Sequence, residues 1–276
     1  MTNKGSRRIV AILLLIVLIV GALSFIVIRY LPNHHQDSGL PVSETGNKSG
    51  KAKQEQFWAQ VPDQGEADGH EFVNLGLSVL WATTNLGTTD ANPYGDYFGW
   101  GELTEHLDAG LWENYRFRTD GSSNDNVRFS KYNYSSWHGK IDSIGVLDKT
   151  DDVAAVEWGG SWRMPTLAEI RELVDSCDWQ WTTMDARNGY LVTSRINKAT
   201  LFLPASGYAR AGSIFGVNSS GYYYCSTLNK VNSIKAYSLY FNSQTVSSVN
   251  KERYNKYSVR AVYPVMDYVS YNRNNP

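Results

Sequence analysis

Cysteine is scarce in this chain, which has only Cys177 and Cys225 among its 276 residues. Such a pair provides neither a disulfide framework nor a thiolate metal site. One disulfide between the two cysteines remains possible if the head lies outside the cytoplasm. It would require their Cα atoms to lie within about 7 Å of each other. Because no cysteine precedes Cys177, we expect no lipid-anchored N-terminus.

An excess of charge of either sign is also missing. The formal net charge of -1 gives no general electrostatic argument for nucleic-acid binding. No nucleophile and base, carboxylate pair or ligand cluster has an informative spacing, and the five histidines lie in linker or loop contexts. The sequence therefore predicts a protein that is not an enzyme and that has no cofactor and no metal.

One segment is uncharged throughout, residues 9–28, and it matches the roughly 20 apolar residues that span a bilayer. Lys4, Arg7 and Arg8 precede it, whereas only Arg29 follows it closely. Positive residues favour the cytoplasmic side, so the chain after the span is expected to lie outside the cytoplasm.

A cleaved signal peptide is the alternative, with Ala22-Leu23-Ser24 as its cleavage site. The apolar run continues past that site, which favours an uncleaved anchor. We expect a cytoplasmic N-terminus at 1–8, a transmembrane signal anchor at 9–30 and a flexible linker at 31–69. The linker is rich in Pro, Gly, Ser and Asn and has no apolar period.

The remainder predicts an α+β head with many short strands and one or two helices. Thr166 and Glu169 form a capping box after Pro165, and an apolar face follows it. In AYSLYF at 236–241, alternation places Tyr237, Leu239 and Phe241 on one face and Ser238 and Tyr240 on the other. Further strands are expected at 72–75, 78–83, 97–100, 179–183, 189–195, 200–205 and 257–262.

Several ordered segments of the head resemble the Fibrobacter succinogenes major paralogous domain, a family similar to the DUF1566 group. The resemblance covers about 70–263, and the segments that carry it are FVNLGLSVLWATTNLG at 72–87, YGDYFGWGE at 94–102, WGGSWRMPTLAEIREL at 158–173, CDWQWTT at 177–183, LFLPASGY at 201–208, GYYYCST at 221–227 and YSVRAV at 257–262. It implies a C-type-lectin-like domain at 70–263, and residues 264–276 would be a short C-terminal tail.

The same family is related to formylglycine-generating enzymes and to variable proteins of diversity-generating retroelements. The enzymes need two reactive cysteines near the C-terminal end of the domain, where this chain has only Cys225. Thr84 stands where the family often has cysteine, which leaves the family disulfide to Cys177 without its usual partner. Tyr224-Cys225 also stand where the family often has Trp-Ser.

An acidic cluster, LDKTDD at 147–152, permits two interpretations. Its carboxylates suit calcium, which prefers oxygen ligands. Acidic residues are equally favoured at the first turn of a helix. The signatures by which many C-type lectins bind calcium are absent from the chain, so we expect a helix start here.

Asn, Tyr and Ser are concentrated at 218–257, a mixture of rigid aromatic and adaptable polar groups that resembles antibody paratopes. We therefore expect a membrane-anchored, extracytoplasmic, adhesin-like protein that binds an extracellular protein or glycan. The alternative is a structural or assembly subunit of a surface layer. The candidate ligand contacts are Tyr223, Asn229, Asn232, Tyr237, Tyr240, Asn242, Ser248, Asn250, Tyr254 and Tyr257.

Overall fold

The computed structural model describes residues 61–105, 112–119 and 126–274, and these form a mixed α+β fold that is rich in short strands. The expected α+β class is therefore confirmed for the head. The membrane span expected at 9–30 and the cytoplasmic residues 1–8 lie outside the described residues. Within the described part, no helix combines the length and the apolar character needed to cross a membrane.

Short strands account for most of the regular structure. They are β1 (Gln64–Ala67), β2 (His70–Val73), β3 (Val79–Ala82), β4 (Cys177–Met184), β5 (Arg187–Ser194), β6 (Thr200–Pro204), β7 (Tyr208–Arg210), β8 (Ser213–Phe215), β9 (Ser220–Leu228), β10 (Lys235–Asn242), β11 (Thr245–Glu252) and β12 (Val262–Pro264). The α-helices are α1 (Val153–Trp158), α2 (Leu167–Ser176) and α3 (Val265–Asn274). Single 3-10 turns occupy Trp112–Asn114, Ser136–His138 and Lys149–Asp151.

The strands form antiparallel sheets that join distant parts of the chain. One sheet has the order β1-β2-β3-β12, in which Val262 pairs with Trp81. The second has the order β11-β10-β9, the third β4-β5-β6, and β7 and β8 form a separate hairpin. Helix α2 packs against β9, β10, β11 and β4. Helix α2 therefore packs against the β9–β11 sheet and also against the β4–β6 sheet.

Helix α2 begins where the capping box places it. The Thr166 side chain accepts from the Glu169 amide, and the Glu169 carboxylate accepts from the Thr166 amide. Ile170 and Leu173 are buried on its inner face. Arg163 forms a salt bridge of 2.5 Å with Glu169, so the residues before the helix are held to its first turn. The prediction of this helix is confirmed.

The head begins earlier than the sequence indicated, because β1 lies inside the expected linker. Asp68 and Gly69 both have positive φ, 44° and 81°, and they turn β1 into β2. An Asp-Gly pair is a strong signal for such a two-residue hairpin turn. Val61 is also buried. The expected linker boundary at residue 69 is therefore wrong, and the folded part includes residue 61.

The C-terminal residues expected to form a tail form helix α3 instead. Val265, Tyr268 and Val269 are buried, and the Tyr268 ring lies 4.9 Å from the ring of Phe72. This apolar face covers the core beside β2. The strand expected at 257–262 is shorter, since only its last residue belongs to β12. The strand expected at 97–100 is reduced to one bridge, between Phe98 and Tyr257.

The two cysteines are buried and unpaired. Burial raises the pKa of the Cys177 thiol to about 11 and that of Cys225 to about 12. The Cys225 thiol donates to the carbonyl oxygen of Tyr237 at 3.2 Å. Both thiols therefore behave as small core side chains, and the disulfide that the sequence left open is not formed.

Candidate functional site

The β9–β11 sheet has two chemically different faces. On β10, Tyr237, Leu239 and Phe241 lie on the face toward the hydrophobic group that includes α2 residues. Ser238 and Tyr240 lie on the opposite face, as successive strand residues must. The alternation expected for 236–241 is therefore confirmed. The second face carries the candidate site.

Four aromatic side chains on and beside this second face contact one another in a row. Tyr222 is paired with Tyr240 across the strands, and their ring centroids are 4.8 Å apart. The Tyr208 ring lies 5.4 Å from Tyr222, and the Phe215 ring lies 5.4 Å from Tyr208. The tyrosines are partly exposed and Phe215 is 46% exposed. We call Tyr208, Phe215, Tyr222 and Tyr240 the tyrosine face.

Two glycines bring the β7–β8 hairpin against the sheet. Gly207 forms a parallel bridge with Gly221, and its amide donates to the Ser220 carbonyl oxygen at 2.7 Å. A Cβ atom on Gly207 would lie 2.0 Å from the Phe215 carbonyl oxygen, and its φ of +72° also disfavours other residues. Glycine at this position therefore lets Tyr208 reach Tyr222.

A buried tyrosine packs against the row on the same face of the sheet. The Tyr257 ring is stacked 4.8 Å from Tyr222 and lies 4.5 Å from Tyr224. Tyr224 is fully buried, and its hydroxyl donates to the Asn255 carbonyl oxygen at 2.9 Å. Packing against Tyr257 on this face of the sheet therefore fixes Tyr222 in place, so that binding a ligand would cost it little side-chain entropy.

Burial affects the pKa of the Tyr222 phenol. It raises the pKa of Tyr222, and the neighbouring phenols of Tyr240 and Tyr208 raise it further. The pKa of Tyr257 is raised as well, again mainly by burial. Neutral hydroxyls both donate and accept hydrogen bonds. The tyrosine face therefore offers apolar rings and uncharged hydrogen-bonding groups.

Polar groups lie beside the rings. The Asn242 amide nitrogen donates to the Tyr240 hydroxyl at 3.0 Å, while its oxygen accepts from the amides of Gln244 and Thr245 in the β10–β11 turn. The Arg210 guanidinium lies 5.8 Å from the Tyr254 ring centroid, within the range of a cation–π contact. These groups add hydrogen-bond donors and one positive charge to the surroundings of the face.

Three of the candidate contacts expected from the sequence are buried: Tyr223, Asn229 and Tyr257. Tyr223 points away from the tyrosine face, and its hydroxyl donates to the Pro204 carbonyl oxygen at 2.6 Å. The Asn229 side chain accepts from the amides of Val231 and Asn232 and so builds the β9–β10 turn. The side chains of Tyr223, Asn229 and Tyr257 therefore have structural roles.

The other candidates are divided between the two faces of the sheet. Tyr237, paired with Asn250, and Ser248, paired with Leu239, lie on the face toward α2. Asn232 lies in the β9–β10 turn and accepts from the amide of Ile234. Tyr240, Asn242 and Tyr254 lie on or beside the tyrosine face. The structure does not bring the expected set together.

Tyr208, Phe215 and Tyr222 were not among the expected contacts. Tyr222 lies in the Tyr-rich segment and occupies the same face as Tyr240, so strand alternation together with the pairing would have found it. Tyr208 and Phe215 come from a separate hairpin. Non-local bridges of Gly207 with Gly221 and of Ala209 with Lys256 place them here.

The acidic residues of the cluster at 147–152 have structural roles. The Asp152 carboxylate accepts from the amides of Ala154 and Ala155 at the start of α1, which confirms the expected helix start. Asp151 binds Arg116 and Lys131 at 2.7 and 2.6 Å. Among the residues that the structure describes, no group of three or more His, Cys, Asp or Glu side chains is placed to hold a metal ion.

Comparison of the chain with family models, with curated proteins and with solved structures finds no match.

Proposed function

We propose that the chain is a membrane-anchored, extracytoplasmic ligand-binding protein of adhesin type, whose C-type-lectin-like head binds a protein or glycan without turning it over. Residues 9–30 would hold it in the membrane. The sheet-rich α+β architecture of the head supports the fold assignment, and the family resemblance over 70–263 supports both the fold and the role.

The observation that carries the proposal is the tyrosine face itself. Its rings are partly exposed although each makes an aromatic contact, and they stand on a hydrogen-bonded sheet. Rigid aromatic side chains supply contact area at low conformational cost, and neighbouring Asn and Arg groups give directional bonds. Such a combination suits the hydroxyls and ring faces of a sugar or the surface of a protein.

Matched tyrosine variants on one strand test the face. The full chain, purified in mild detergent, is applied to a glycan array and to an array of extracellular proteins, and the dissociation constant is measured for each ligand found. Tyr240→Ala should weaken binding about tenfold or more, as expected for an anchor residue. Tyr237→Ala, on the same strand but the opposite face, is the control and should bind as the wild type does. Equal losses in both variants would contradict the proposal.

Limited proteolysis tests the topology independently of the ligand. Protease added to cells with a permeabilised outer envelope should release a soluble fragment that begins after residue 30 and before residue 61, since the compact head includes Val61. A head protected behind an intact inner membrane would overturn the orientation. A mature chain that starts near Phe25 and washes off the membrane would show a secreted protein instead.

The relationship to variable proteins of diversity-generating retroelements is tested by the neighbouring DNA. A reverse transcriptase gene and an imperfect repeat of codons 218–260, with differences mainly at adenines, would support it. The tyrosine face would then contain positions inside that repeat, Tyr222 and Tyr240, and positions outside it, Tyr208 and Phe215. Absence of both elements from the locus would argue against diversification and would leave the binding proposal intact.

A further inference from the structure

A separate cavity of about 140 Å³ opens between the 83–88 loop, the β4–β5 turn and strand β6. It is distinct from the tyrosine face, because none of the four aromatic residues of that face lines it. Two arginines and several threonines contribute to its wall, together with apolar side chains. Its polar lining includes Thr84, Thr88, Asn85, Arg187 and Arg260.

Arg260 is a buried cation with neutral partners. Its residue is 2% exposed, and its guanidinium donates to the Asn85 side-chain oxygen at 2.8 Å and to the carbonyl oxygens of Ala82 and Thr83 at 3.1 and 2.8 Å. Within the described residues, no carboxylate forms an ion pair with it. Burial lowers the pKa of Arg260 to about 10, so the group remains charged at neutral pH.

Arg187 brings a second positive charge to the same cavity. It donates to the Pro93 carbonyl oxygen at 2.7 Å, and its contact with the Asp185 carboxylate is a long 3.4 Å. Asp185 is 83% exposed in its side chain, so water screens this pair. In the described part of the chain, the Arg187 Nε atom is buried and has no hydrogen-bond partner. An unsatisfied buried donor costs free energy that an acceptor would offset.

Part of the cavity wall is apolar, and the Phe202 ring centroid lies 6.0 Å from the Arg187 guanidinium carbon. Met184, Phe202 and Pro204 line this part of the wall, so a ligand here would have carbon atoms to place against them. A cavity of about 150 Å³ accommodates a molecule of benzene size. Two cations and neighbouring hydroxyls beside apolar side chains fit a carboxylate attached to a small carbon skeleton better than a bare inorganic anion.

We propose that this cavity binds a carboxylate group, carried either by a small organic acid or by the exposed end of a larger acidic ligand. Arg187 Nε and the hydroxyls of Thr84 and Thr88 would donate to the carboxylate, and the charge of Arg260 would stabilise it. A carboxylate offers its two oxygens to a guanidinium in a matching plane, which makes arginine its preferred partner. The ligand's carbon atoms would pack on Met184 and Phe202.

Matched probes test the charge requirement. The full chain in mild detergent is titrated calorimetrically with benzoate, with galacturonate and with its neutral counterpart galactose. A short peptide is compared as free acid and as C-terminal amide. Binding of the acids and not of galactose or the amide supports the proposal, and the tighter acid separates an acidic sugar from a peptide end. Failure of all the acids to bind would overturn it. Sulfate or phosphate binding in place of the acids would overturn the carboxylate assignment.

Variants of the wall give the second test. Arg187→Gln should weaken binding of the acid about tenfold or more, because a charged hydrogen bond is lost. Asp185→Asn should tighten it, since a negative charge beside the site is removed. Arg171→Gln, an exposed arginine on α2 with the same change in charge, should leave the affinity unchanged. An unchanged affinity in both cavity variants would overturn the proposal, and the Asp185 variant keeps it testable if Arg187→Gln fails to fold.

This site does not depend on the proposed function of the tyrosine face. Tyr240→Ala should leave acid binding at the cavity unaffected, and Arg187→Gln should leave ligand binding at the tyrosine face unaffected. Loss of acid binding in Tyr240→Ala would show that the acid binds at the tyrosine face, and the cavity assignment would be wrong.

Discussion

Gly207 and Gly221 lie face to face in a parallel bridge, and this contact sets the 5.4 Å distance between the rings of Tyr208 and Tyr222. A Cβ atom on Gly221 would lie 2.2 Å from the Phe241 ring, so neither glycine leaves room for a side chain. The geometry of the tyrosine face thus depends on two residues that have no side chain with which to contact a ligand.

Gly207→Ala should therefore lower both stability and ligand binding. The new methyl group meets the Phe215 carbonyl oxygen, and the positive φ adds strain of about 1–3 kcal/mol. Gly212→Ala is the control, because its φ of +76° is similar but nothing lies within 4 Å of the added Cβ. Urea unfolding should show a larger loss for Gly207→Ala. Equal losses would mean that backbone strain alone matters.

The ion pair between Lys256 and Glu102 is the most deeply buried of those in the described structure. Its atoms are 2.7 Å apart, and the side chains are 1% and 8% exposed. Glu102→Gln should cost about 3–5 kcal/mol in the free energy of unfolding, since it leaves a buried ammonium without its partner. Glu252→Gln breaks the half-exposed 3.8 Å pair with Lys235 and should cost under about 1 kcal/mol. A small effect of Glu102→Gln would contradict this account.

Arg253 is completely buried inside a group of aromatic rings. Its guanidinium carbon lies 3.7 Å from the Phe129 ring centroid and 5.4 Å from that of Trp100, and Nη1 donates to the Tyr132 carbonyl oxygen at 3.0 Å. Within the described residues, its Nε and Nη2 atoms have no hydrogen-bond partner.

Burial lowers the pKa of Arg253, so keeping its guanidinium charged lowers the free energy of unfolding. Arg253→Met removes the buried charge and keeps much of the volume, whereas Arg253→Lys keeps the charge and loses the planar stacking. We expect the lysine variant to be less stable than the methionine variant by about 2 kcal/mol. Chemical denaturation of both variants measures this, and a lysine variant as stable as the wild type would refute it.

Asp151 should make the stability of the head depend on pH in the acid range. Burial by itself would raise its pKa, but hydrogen bonds from Lys131 and Tyr132 and the charge of Arg116 outweigh burial and lower the pKa. The folded state then binds fewer protons than the unfolded state. The stabilisation is complete above the pKa of an unfolded aspartate, about 3.9, and is lost as the pH falls through the lower folded-state pKa.

Asp151→Asn should therefore cost about 2–3 kcal/mol at pH 7, and the cost should shrink as the pH falls below about 4. Unfolding curves of the wild type and the variant between pH 7 and pH 3 measure the difference. Asp148→Asn is the control, because that carboxylate contacts the same Lys131 but is 52% exposed. A cost that stays constant with pH would show that Asp151 acts through shape and not through charge.

Local signals in the sequence predicted the elements that local interactions form. Helix α2 follows from the Thr166–Glu169 capping box and its apolar period, and the faces of β10 follow from its alternation. The Asp68-Gly69 turn also carried a usable signal for β1. The sequence signal for helix α3 was weaker. Its apolar residues Val265, Tyr268 and Val269 indicate a buried helix face only once the neighbouring core is known.

The candidate site was less predictable, for a physical reason. Strand β9 is packed on both faces. Tyr222, Tyr223 and Tyr224 are therefore all compatible with a strand, and alternation alone does not show which of the three side chains is exposed. The structure leaves Tyr222 partly exposed and buries the other two. The positions of Tyr208 and Phe215 depend on a contact between the β7–β8 hairpin and β9. No local sequence pattern predicts that contact.

The pairing of β12 with β3 has a consequence for the time at which the head can fold. Val262 pairs with Trp81, so the four-stranded sheet receives its last strand from a segment 181 positions (262 − 81) later in the sequence. Contacts between residues so far apart in sequence form slowly, since a long loop must close first. During synthesis, residues 79–82 leave the ribosome long before 262–264. The edge of β3 therefore stays unpaired until residues 262–264 have emerged, and the four-stranded sheet can be completed only then.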